Sequence, residues 1–359
     1  MGASWGCLRT WPGSITSVRR RHRSRAHPIL LLHPSPAKRH ASPSESPVLV
    51  FDLGGTWLRA GLADAQGRLL RRRRHPTPTG GPPAVIAAMV TAARELDPER
   101  TAVGIGIAAP GPLDPAAGMV IRMPNLPGWH DVPLATLVAE ALELPARLHN
   151  DASLAALGEA LAGAGRGASP LVYLTVSTGI GGGIVIGGRL FEGRHGLAGE
   201  LGHILLDPAG PTCGLGHAGC LEALASGSAL ARRAREAMAA GAIPADSVLL
   251  ALATDRPPAA SMLAAAALQG DTWALAAWQD AGQALGRGLA SIINTLDPER
   301  IVLGGGLTAA WDLWAGAMHE ALAENAVTWP DRACDIVPAD LGDDGGLVGA
   351  ALWVAERLG

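Results

Sequence analysis

The stretch Val48-Leu-Val-Phe-Asp-Leu-Gly-Gly-Thr56 decides the fold of this chain. Its apolar run predicts a buried strand over 48–52, and Gly54-Gly55-Thr56 predicts a turn into a second strand over 58–62. The two glycines let backbone N–H groups point at an anion, and Thr56 adds a hydroxyl donor. Asp52, at the end of the buried strand, has the hard oxygen ligands that Mg²⁺ prefers. The stretch predicts a phosphate-binding hairpin, although an ordinary Gly-Gly hairpin turn has the same signature.

The second half of the sequence repeats this plan. A strand over 171–176 leads into a turn over 179–183 and another strand over 183–186. Thr178, Gly179 and Gly181 of this turn predict a second phosphate loop, with a glycine-rich hairpin as the alternative. Because two such hairpins occupy equivalent places, the sequence predicts a duplicated α/β unit with a cleft between the copies.

Apolar spacing and turn residues predict the other elements. A third glycine turn, Gly304-Gly305-Gly306, follows a predicted strand over 301–303 and would let adenine or ribose approach the backbone at Gly305. Further strands are predicted over 102–108 and 146–149, and helices over 84–96, 134–142, 226–240, 272–296 and 345–358.

Length, charge and composition bound the kind of protein. The 359 residues are too many for one ordinary core. Residues 1–47 hold seven arginines and one lysine against Glu45, a net charge of +7, so the remainder carries −10 of the total of −3. An acidic body argues against nucleic-acid binding, and no apolar run is long enough to span a membrane. Lys38 is the only lysine, so later phosphate contacts must come from arginine, backbone N–H groups or a metal.

The first 46 residues differ from the rest. They are rich in Arg, Ser, His and Pro and lack apolar periodicity. This composition predicts a disordered basic extension; the alternatives are a targeting segment or a tail that contacts nucleic acid. The segment shows no pair of amphipathic helices of the helix-turn-helix kind.

The pair Asn150-Asp151 lies between the two halves. A sugar hydroxyl is a poor nucleophile, so phosphoryl transfer needs a carboxylate that accepts its proton, and Asp151 is the best candidate. The alternative is a helix N-cap, which Asn and Asp both favour. Further on, Glu200 and His203 of Gly199-Glu-Leu-Gly-His203 could hold vicinal hydroxyls.

A cysteine pair suggests a metal site. Cys213 and Cys220 flank a glycine-rich turn, and with His203 they offer ligands of the kind that structural Zn²⁺ prefers. Two unrelated buried thiols are the alternative, because a tetrahedral site needs a fourth ligand. Such a cluster is typical of a reducing compartment rather than of a disulfide framework.

From about Pro47 onward these motifs together resemble the ROK family of bacterial sugar kinases and sugar-responsive repressors. The family's D-x-G-G-T loop, N-D pair, second glycine loop, E-x-G-H motif and zinc motif correspond to Asp52, Asn150-Asp151, Thr178, Glu200 to His203 and Cys213 to Glu222. The resemblance implies an α/β protein with the actin-like ATPase fold, two RNase H-like domains and an interdomain cleft. The expected division is 47–149 plus 345–359 as the smaller domain and 150–344 as the larger one.

The resemblance also implies roles for individual residues. Asp151 becomes the general base, and the sugar is contacted by Asn125, Asn150, Asp151, Glu200, His203 and Glu222. ATP and Mg²⁺ are expected at Asp52, Gly54, Gly55, Thr56, Thr178, Gly179, Gly181 and Gly305. Zinc is expected at His203, Cys213 and Cys220, but Leu215 replaces the family's second cysteine, so the fourth ligand is open and His217 is a candidate. Trp57 stands where many members carry lysine.

The function expected from this resemblance is ATP-dependent phosphorylation of a hexose at the 6-hydroxyl by a cytoplasmic homodimer or homotetramer. The segment Pro124-Asn-Leu-Pro-Gly-Trp129 is similar to family glucokinases, which favours glucose over fructose, mannose or an N-acetyl amino sugar. Polyphosphate is an alternative donor. The competing hypotheses are a sugar-responsive transcription regulator and a non-catalytic sugar-binding protein with a decayed zinc site.

Overall fold

The computed structural model of the protein describes residues 46–123, 126–327 and 334–358. In chain order the strands are β1 (Val48–Leu53), β2 (Trp57–Ala63), β3 (Leu69–Pro76), β4 (Ile105–Ala109), β5 (Leu113–Asp114), β6 (Met119–Arg122), β7 (His130–Val132), β8 (Ala146–Asn150), β9 (Leu171–Val176), β10 (Ile180–Ile186), β11 (Arg189–Leu190), β12 (Arg300–Gly304) and β13 (Asp335–Pro338). The helices are α1 (Gly81–Leu96), α2 (Leu134–Leu142), α3 (Asp151–Ala162), α4 (Leu221–Ala225), α5 (Gly227–Ala239), α6 (Val248–Leu252), α7 (Ala260–Ala267), α8 (Thr272–Leu296), α9 (Trp311–Asn325) and α10 (Gly345–Leu358). Short 3₁₀ turns lie at Leu201–His203, Gly306–Ala310 and Gly342–Asp344.

Two five-stranded sheets share one topology. The first has the order β3-β2-β1-β4-β8 and the second the order β11-β10-β9-β12-β13. In each sheet the first two hairpin connections are antiparallel, and the last two strands run parallel to the central one. The repeated strand–turn–strand pattern of the sequence is therefore one half of a repeated sheet. A small antiparallel sheet of β5, β6 and β7 accompanies the first copy.

The structure corrects one predicted boundary, the one between the second glycine turn and the strand that follows it. The expected turn over 179–183 is wrong in its extent, because β10 begins at Ile180 and Gly181 already pairs with Thr175 of β9. The glycines belong to the strand because α3 packs directly on it. A Cβ added at Gly183 would lie 2.5 Å from the Cβ of Ala156. The sequence suggested a turn because glycine is usually a turn residue.

Helices α3 and α10 are exchanged between the two sheets. Helix α3 follows β8 of the first sheet and packs against β9 and β10 of the second, whereas α10 follows β13 of the second sheet and packs against β1 and β4 of the first. The helices also pack against each other so tightly that a Cβ at Gly349 would lie 1.7 Å from the carbonyl oxygen of Leu154. This shared layer joins the two copies through one apolar core.

Two mixed sheets of the same order, each covered by helices, form the actin-like arrangement of RNase H-like units that the resemblance implies. The larger second half carries the extra helices α4 to α9. Within the described residues, the structure contains no helix whose length and apolar character would let it cross a membrane.

Candidate active site

A cavity of about 1010 Å³ opens where the carboxyl ends of β1, β8, β9 and β12 meet. The carboxyl edges of parallel strands are the usual position of ligand sites in α/β proteins. Most of the residues singled out in the sequence line this cavity: Asp52, Gly54, Gly55, Asn150, Asp151, Thr178, Gly179, Gly181, Glu200, His203, Cys213, Leu215, His217, Glu222 and Gly305. Of the others, Thr56 is exposed and outside the cavity wall, Cys220 is buried behind it, and Asn125 lies outside the described residues.

Asp52 lies near the end of β1 in an acidic environment. Burial is the main cause, and the charge of Asp151 the next, of a pKa raised to about 7 at Asp52. Arg59 of β2 opposes this shift, because its Nη1 donates a hydrogen bond to Asp52 Oδ2 at 3.2 Å. Nη2 of Arg59 forms an ion pair with Asp343 Oδ1 at 2.9 Å. A positive charge is thus held between two carboxylates at the cavity wall.

Asn150 and Asp151 join strand β8 to helix α3. Asn150 is the N-cap, and its Oδ1 accepts a 3.0 Å hydrogen bond from the Ser153 amide. The capping role considered from the sequence is therefore present, and it fixes the direction of the first helical residue, Asp151. Burial raises the pKa of Asp151, whereas the 2.8 Å hydrogen bond from the Ala152 amide opposes the rise. The helix start directs a carboxylate of raised basicity into the cavity.

The three glycine turns differ in how their backbone groups are placed for binding a ligand. In the first turn the Gly54 amide already donates to the Trp57 carbonyl at 2.9 Å, which closes the hairpin. In the second, Thr178 and Gly179 line the cavity directly after β9. The third turn needs glycine, because Gly305 has φ +90° and a Cβ there would lie 2.5 Å from the Val176 carbonyl oxygen.

Three of the side chains expected to hold a sugar, those of Glu200, His203 and Glu222, line another part of the cavity wall. Glu200 precedes a 3₁₀ turn and His203 is its last residue, with His203 Nε2 3.9 Å from Glu200 Oε2. Glu222, at the start of α4, accepts a 3.0 Å hydrogen bond from the Ile180 amide. Glu222 therefore ties this side of the cavity to the second glycine turn.

His203 also belongs to a group of metal-type ligands. One ligand atom each from His203, Cys213 and Cys220 lie within 4.8 Å of one another. His217 is not in this group, yet its Nδ1 is 3.2 Å from His203 Nδ1. Burial raises the pKa of Cys220, which keeps its thiol protonated where no cation is bound. The Nδ1 atom of His203 thus points toward these candidate ligands, and Nε2 points toward Glu200.

The structure adds arginines that the sequence reasoning did not select. Arg59, Arg232 and Arg235 line the cavity. The absence of lysine after residue 38 left arginine, backbone N–H groups or a metal as phosphate contacts, and it did not show which arginine would take part. Arg59 carried a usable signal, since it is a charged residue between Leu58 and Ala60 in a buried strand. Arg232 and Arg235 lie on α5, whose orientation relative to the cavity depends on tertiary packing.

Comparisons with a family profile, with related sequences and with solved structures agree with one another. The ROK family profile matches residues 48–357. The chain is 37% identical to a glucokinase of Thermotoga maritima over 86% of this chain and 97% of the relative. It is 36% identical to an N-acetylmannosamine kinase of Citrobacter koseri over 85% and 97%. The crystal structure of a ROK hexokinase from Thermus thermophilus has a TM-score of 0.73 and 38% identity, covering 87% of this chain and 100% of that one.

A second solved structure, a ROK family glucokinase from Streptomyces griseus in complex with glucose and AMPPNP, has a TM-score of 0.73 and 34% identity, with 87% and 99% covered. The duplicated sheets and the cavity at their edges, together with these relatives, define a sugar kinase with the actin-like ATPase fold. The resemblance drawn from the motifs is thereby confirmed. The chain belongs to the ROK family.

Proposed function

We propose that this protein transfers the γ-phosphoryl group of ATP to the 6-hydroxyl of a hexose, with glucose as the preferred substrate. The observation that carries the proposal is Asp151, a half-buried carboxylate that faces a cavity lined by all three glycine turns. Because burial raises its pKa, Asp151 is a stronger base than a solvated carboxylate. The 37% identity to the T. maritima glucokinase supports glucose.

In the proposed reaction, the sugar 6-oxygen attacks the γ-phosphorus while the bond from that phosphorus to the β–γ bridging oxygen breaks. The hydroxyl proton passes to the carboxylate of Asp151, and ADP leaves. Glu200, His203, Glu222 and Asn150 orient the sugar hydroxyls, so that catalysis comes mainly from positioning. Asn125 is proposed as a further sugar contact.

Asp52 is the proposed Mg²⁺ position. Its carboxylate lies next to a second carboxylate, Asp151, and its pKa is raised to about 7, first by burial and then by the charge of Asp151, although Arg59 opposes the rise. A divalent cation at Asp52 would offset the negative charge of these carboxylates and of the transferred phosphoryl group. Arg59, which lines the same wall, can donate to phosphate oxygens.

Zinc is proposed at His203, Cys213 and Cys220, with His217 as the fourth ligand in place of the cysteine that Leu215 replaces. Nitrogen ligands about 2.0–2.1 Å from a tetrahedral zinc lie about 3.3 Å apart. The 3.2 Å between the Nδ1 atoms of His203 and His217 fits that spacing. His217 lies outside the group whose ligand atoms are all within 4.8 Å of one another, so its ring must move closer to complete the tetrahedron. A bound ion would hold Nδ1 of His203 and leave Nε2 for the sugar.

The organisation of the protein is proposed from the same observations. Residues 47–149 with 345–359 form one domain and 150–344 the other, which is supported by α10 packing on the first sheet. We propose a homodimer or homotetramer in the cytoplasm, without membrane or nucleic-acid partners. Size-exclusion chromatography with light scattering tests the assembly.

The activity is tested with purified protein, added zinc and a coupled assay for ADP over a panel of hexoses and N-acetyl amino sugars. Asp151→Asn should lower kcat about 10²- to 10⁴-fold, the range for loss of a general base. Asp255→Asn, which changes an exposed aspartate, is the matched control. Absence of sugar-dependent ADP release across the panel would end the proposal, and near-normal turnover by Asp151→Asn would remove Asp151 from its role.

N-Acetylmannosamine is the second candidate substrate. The 36% identity to the C. koseri N-acetylmannosamine kinase favours it over fructose or mannose. The same panel separates the two candidates by the ratio of kcat/KM values. A parallel series with polyphosphate in place of ATP identifies the donor.

A further inference from the structure

His149 lies directly before the Asn150-Asp151 pair and is almost fully buried, with 1% of its surface exposed. Burial is the main cause that lowers its pKa to about 4, so the ring is neutral at physiological pH. The backbone amide of Asn150 donates a 2.8 Å hydrogen bond to Nδ1. Because a neutral imidazole carries one proton, that proton is on Nε2.

The Nε2–H group of His149 has no hydrogen-bond partner within the described residues. A buried donor without a partner is unusual and costs stability. The side chain of Glu192 lies nearby, with Oε1 3.7 Å from Nε2, which is too far for a hydrogen bond. The Trp353 ring packs edge-on against the imidazole at 5.1 Å between centroids, so it prevents the ring from turning away.

The Glu192 side chain already accepts two hydrogen bonds from α10. Its Oε1 accepts hydrogen bonds from Trp353 Nε1 at 3.1 Å and from Arg357 at 2.8 Å, both on α10. A carboxylate has about four acceptor positions, so it retains capacity for another donor. A displacement of less than about 1 Å would bring it within hydrogen-bond distance of His149.

Glu192 also begins the segment that leads to the sugar side of the cavity. The Glu192 carbonyl accepts a 3.2 Å hydrogen bond from the Ala198 amide, which closes a loop two residues before Glu200. Leu197 of this loop lines the cavity. A movement of residues 191–200 toward a bound sugar would therefore displace Glu192 as well.

We propose that His149 is a positioning residue, whose Nε2–H donates to Glu192 when residues 191–200 settle on the sugar, and that this bond aligns Asp151 with the bound hydroxyl. The inference rests on the proposed function. The His149 ring connects the two parts physically, since it bonds the Asn150 amide on one edge and faces Glu192 on the other. Sugar binding would thus satisfy a donor that is unpaired without sugar.

Two substitutions separate this role from plain packing. In His149→Gln the side chain reaches as far as Nε2 and can donate to Glu192, whereas in His149→Asn it reaches only as far as Nδ1. His149→Asn should lower kcat/KM for the sugar about 10- to 100-fold, as expected for loss of a hydrogen bond to a charged group, with KM for ATP unchanged. His149→Gln should recover most of this loss. His319→Asn, an exposed histidine of α9, should resemble the wild type.

The partner is tested by a double-mutant cycle. Glu192→Gln should lower kcat/KM for the sugar, and His149→Asn combined with Glu192→Gln should be no worse than the more damaging single variant. Fully additive losses would overturn the proposal. So would His149→Gln and His149→Asn variants that are equally impaired, because that result fits a residue needed only for packing.

A spectroscopic measurement keeps the inference separate from the activity. In ¹⁵N-histidine NMR spectra, the His149 signal is assigned by its loss in His149→Gln. Glucose, or the best sugar of the panel, should move the Nε2 proton downfield and slow its exchange, and Glu192→Gln should abolish the change. A wild type without turnover refutes the proposed function; an Nε2 signal unchanged at saturating sugar refutes the inference.

Discussion

The phosphate side and the sugar side of the cavity are built in different ways. The phosphate side uses turns from equivalent places in two sheets of one topology, so backbone groups and glycines define it. The sugar side depends largely on residues 200–222, which lie outside both five-stranded sheets, together with Asn150 at the end of β8. A duplicated scaffold needs few particular side chains, whereas the single-copy side depends on each ligand. The departure from the family pattern at Leu215 is accordingly on the sugar side.

The largest expected effect tests whether the two sides are separable. Asp52→Asn should lower kcat about 10²- to 10³-fold, because it removes a charge that acts on the transferred phosphoryl group. Affinity for the sugar, measured by titration calorimetry without ATP, should stay within about twofold. Equal loss of sugar affinity and kcat would show that the two sides form one energetic unit.

The second prediction concerns the stability of the ligand-free protein. Because the pKa of Asp52 is about 7 in the folded protein and 3.8 in the reference state, the unfolded chain loses its proton first as pH rises. Stability from this group is therefore full below about pH 4 and is lost as the pH rises to about 7, by about 4 kcal/mol in total. Urea unfolding at pH 5 and pH 8 should show that Asp52→Asn stabilises the protein more at pH 8.

The wild type is compared with Asp52→Asn because His149 changes the stability of the protein with pH in the opposite direction. Its pKa is lowered to about 4, so its contribution to stability is lost as pH falls below about 6.5. Both proteins share that contribution, and the difference between them isolates Asp52. A pH-independent difference would mean that the aspartate is ionised throughout the range.

The third prediction addresses the metal on the sugar side. Removing zinc with a chelator, or replacing Cys213 by serine, should lower kcat/KM for the sugar about 10- to 100-fold, because His203 loses the ligand set that orients it. KM for ATP should change less than about twofold. Metal analysis of the purified protein provides the control. A zinc-free protein with unchanged sugar kinetics would support a decayed metal site.

The smallest expected effect tests how Leu215 influences zinc binding. Leu215→Cys restores the family's cysteine, and we expect zinc affinity to rise about tenfold with a modest increase in Tm. His217→Ala should weaken zinc binding in the natural sequence but have little effect in the Leu215→Cys protein. If His217→Ala leaves zinc affinity unchanged in both proteins, His217 is not the fourth ligand.

Local patterns predicted most of the fold. The helices over 134–142, 272–296 and 345–358 agree with α2, α8 and α10, because long apolar periodicity and flanking breakers define such elements well. The edge strand β3, with four consecutive arginines, had no apolar alternation to reveal it. The two-residue strand β11 is defined by its partner β10 rather than by its own residues.

The candidate site was predictable where chemistry follows from a motif and not where it follows from packing. Asp52, Asp151 and the glycine turns were found because they lie at strand ends. Arg59 and Asp343 meet only because β2 lies beside the turn before α10, which no short-range spacing shows. The approach of Glu192 to within 3.7 Å of His149 likewise brings together residues 43 positions apart through tertiary contact.

The exchange of α3 and α10 also has a consequence for the folding of the chain during its synthesis. Leu347, Ala350 and Val354 of α10 share one apolar core with Val48 and Val50 of β1, so one face of the first sheet stays uncovered until α10 has been synthesised. Domains usually fold in the order in which they leave the ribosome, but here the first strands must wait for one of the last helices. The nascent N-terminal half therefore exposes one apolar face of its sheet throughout most of translation.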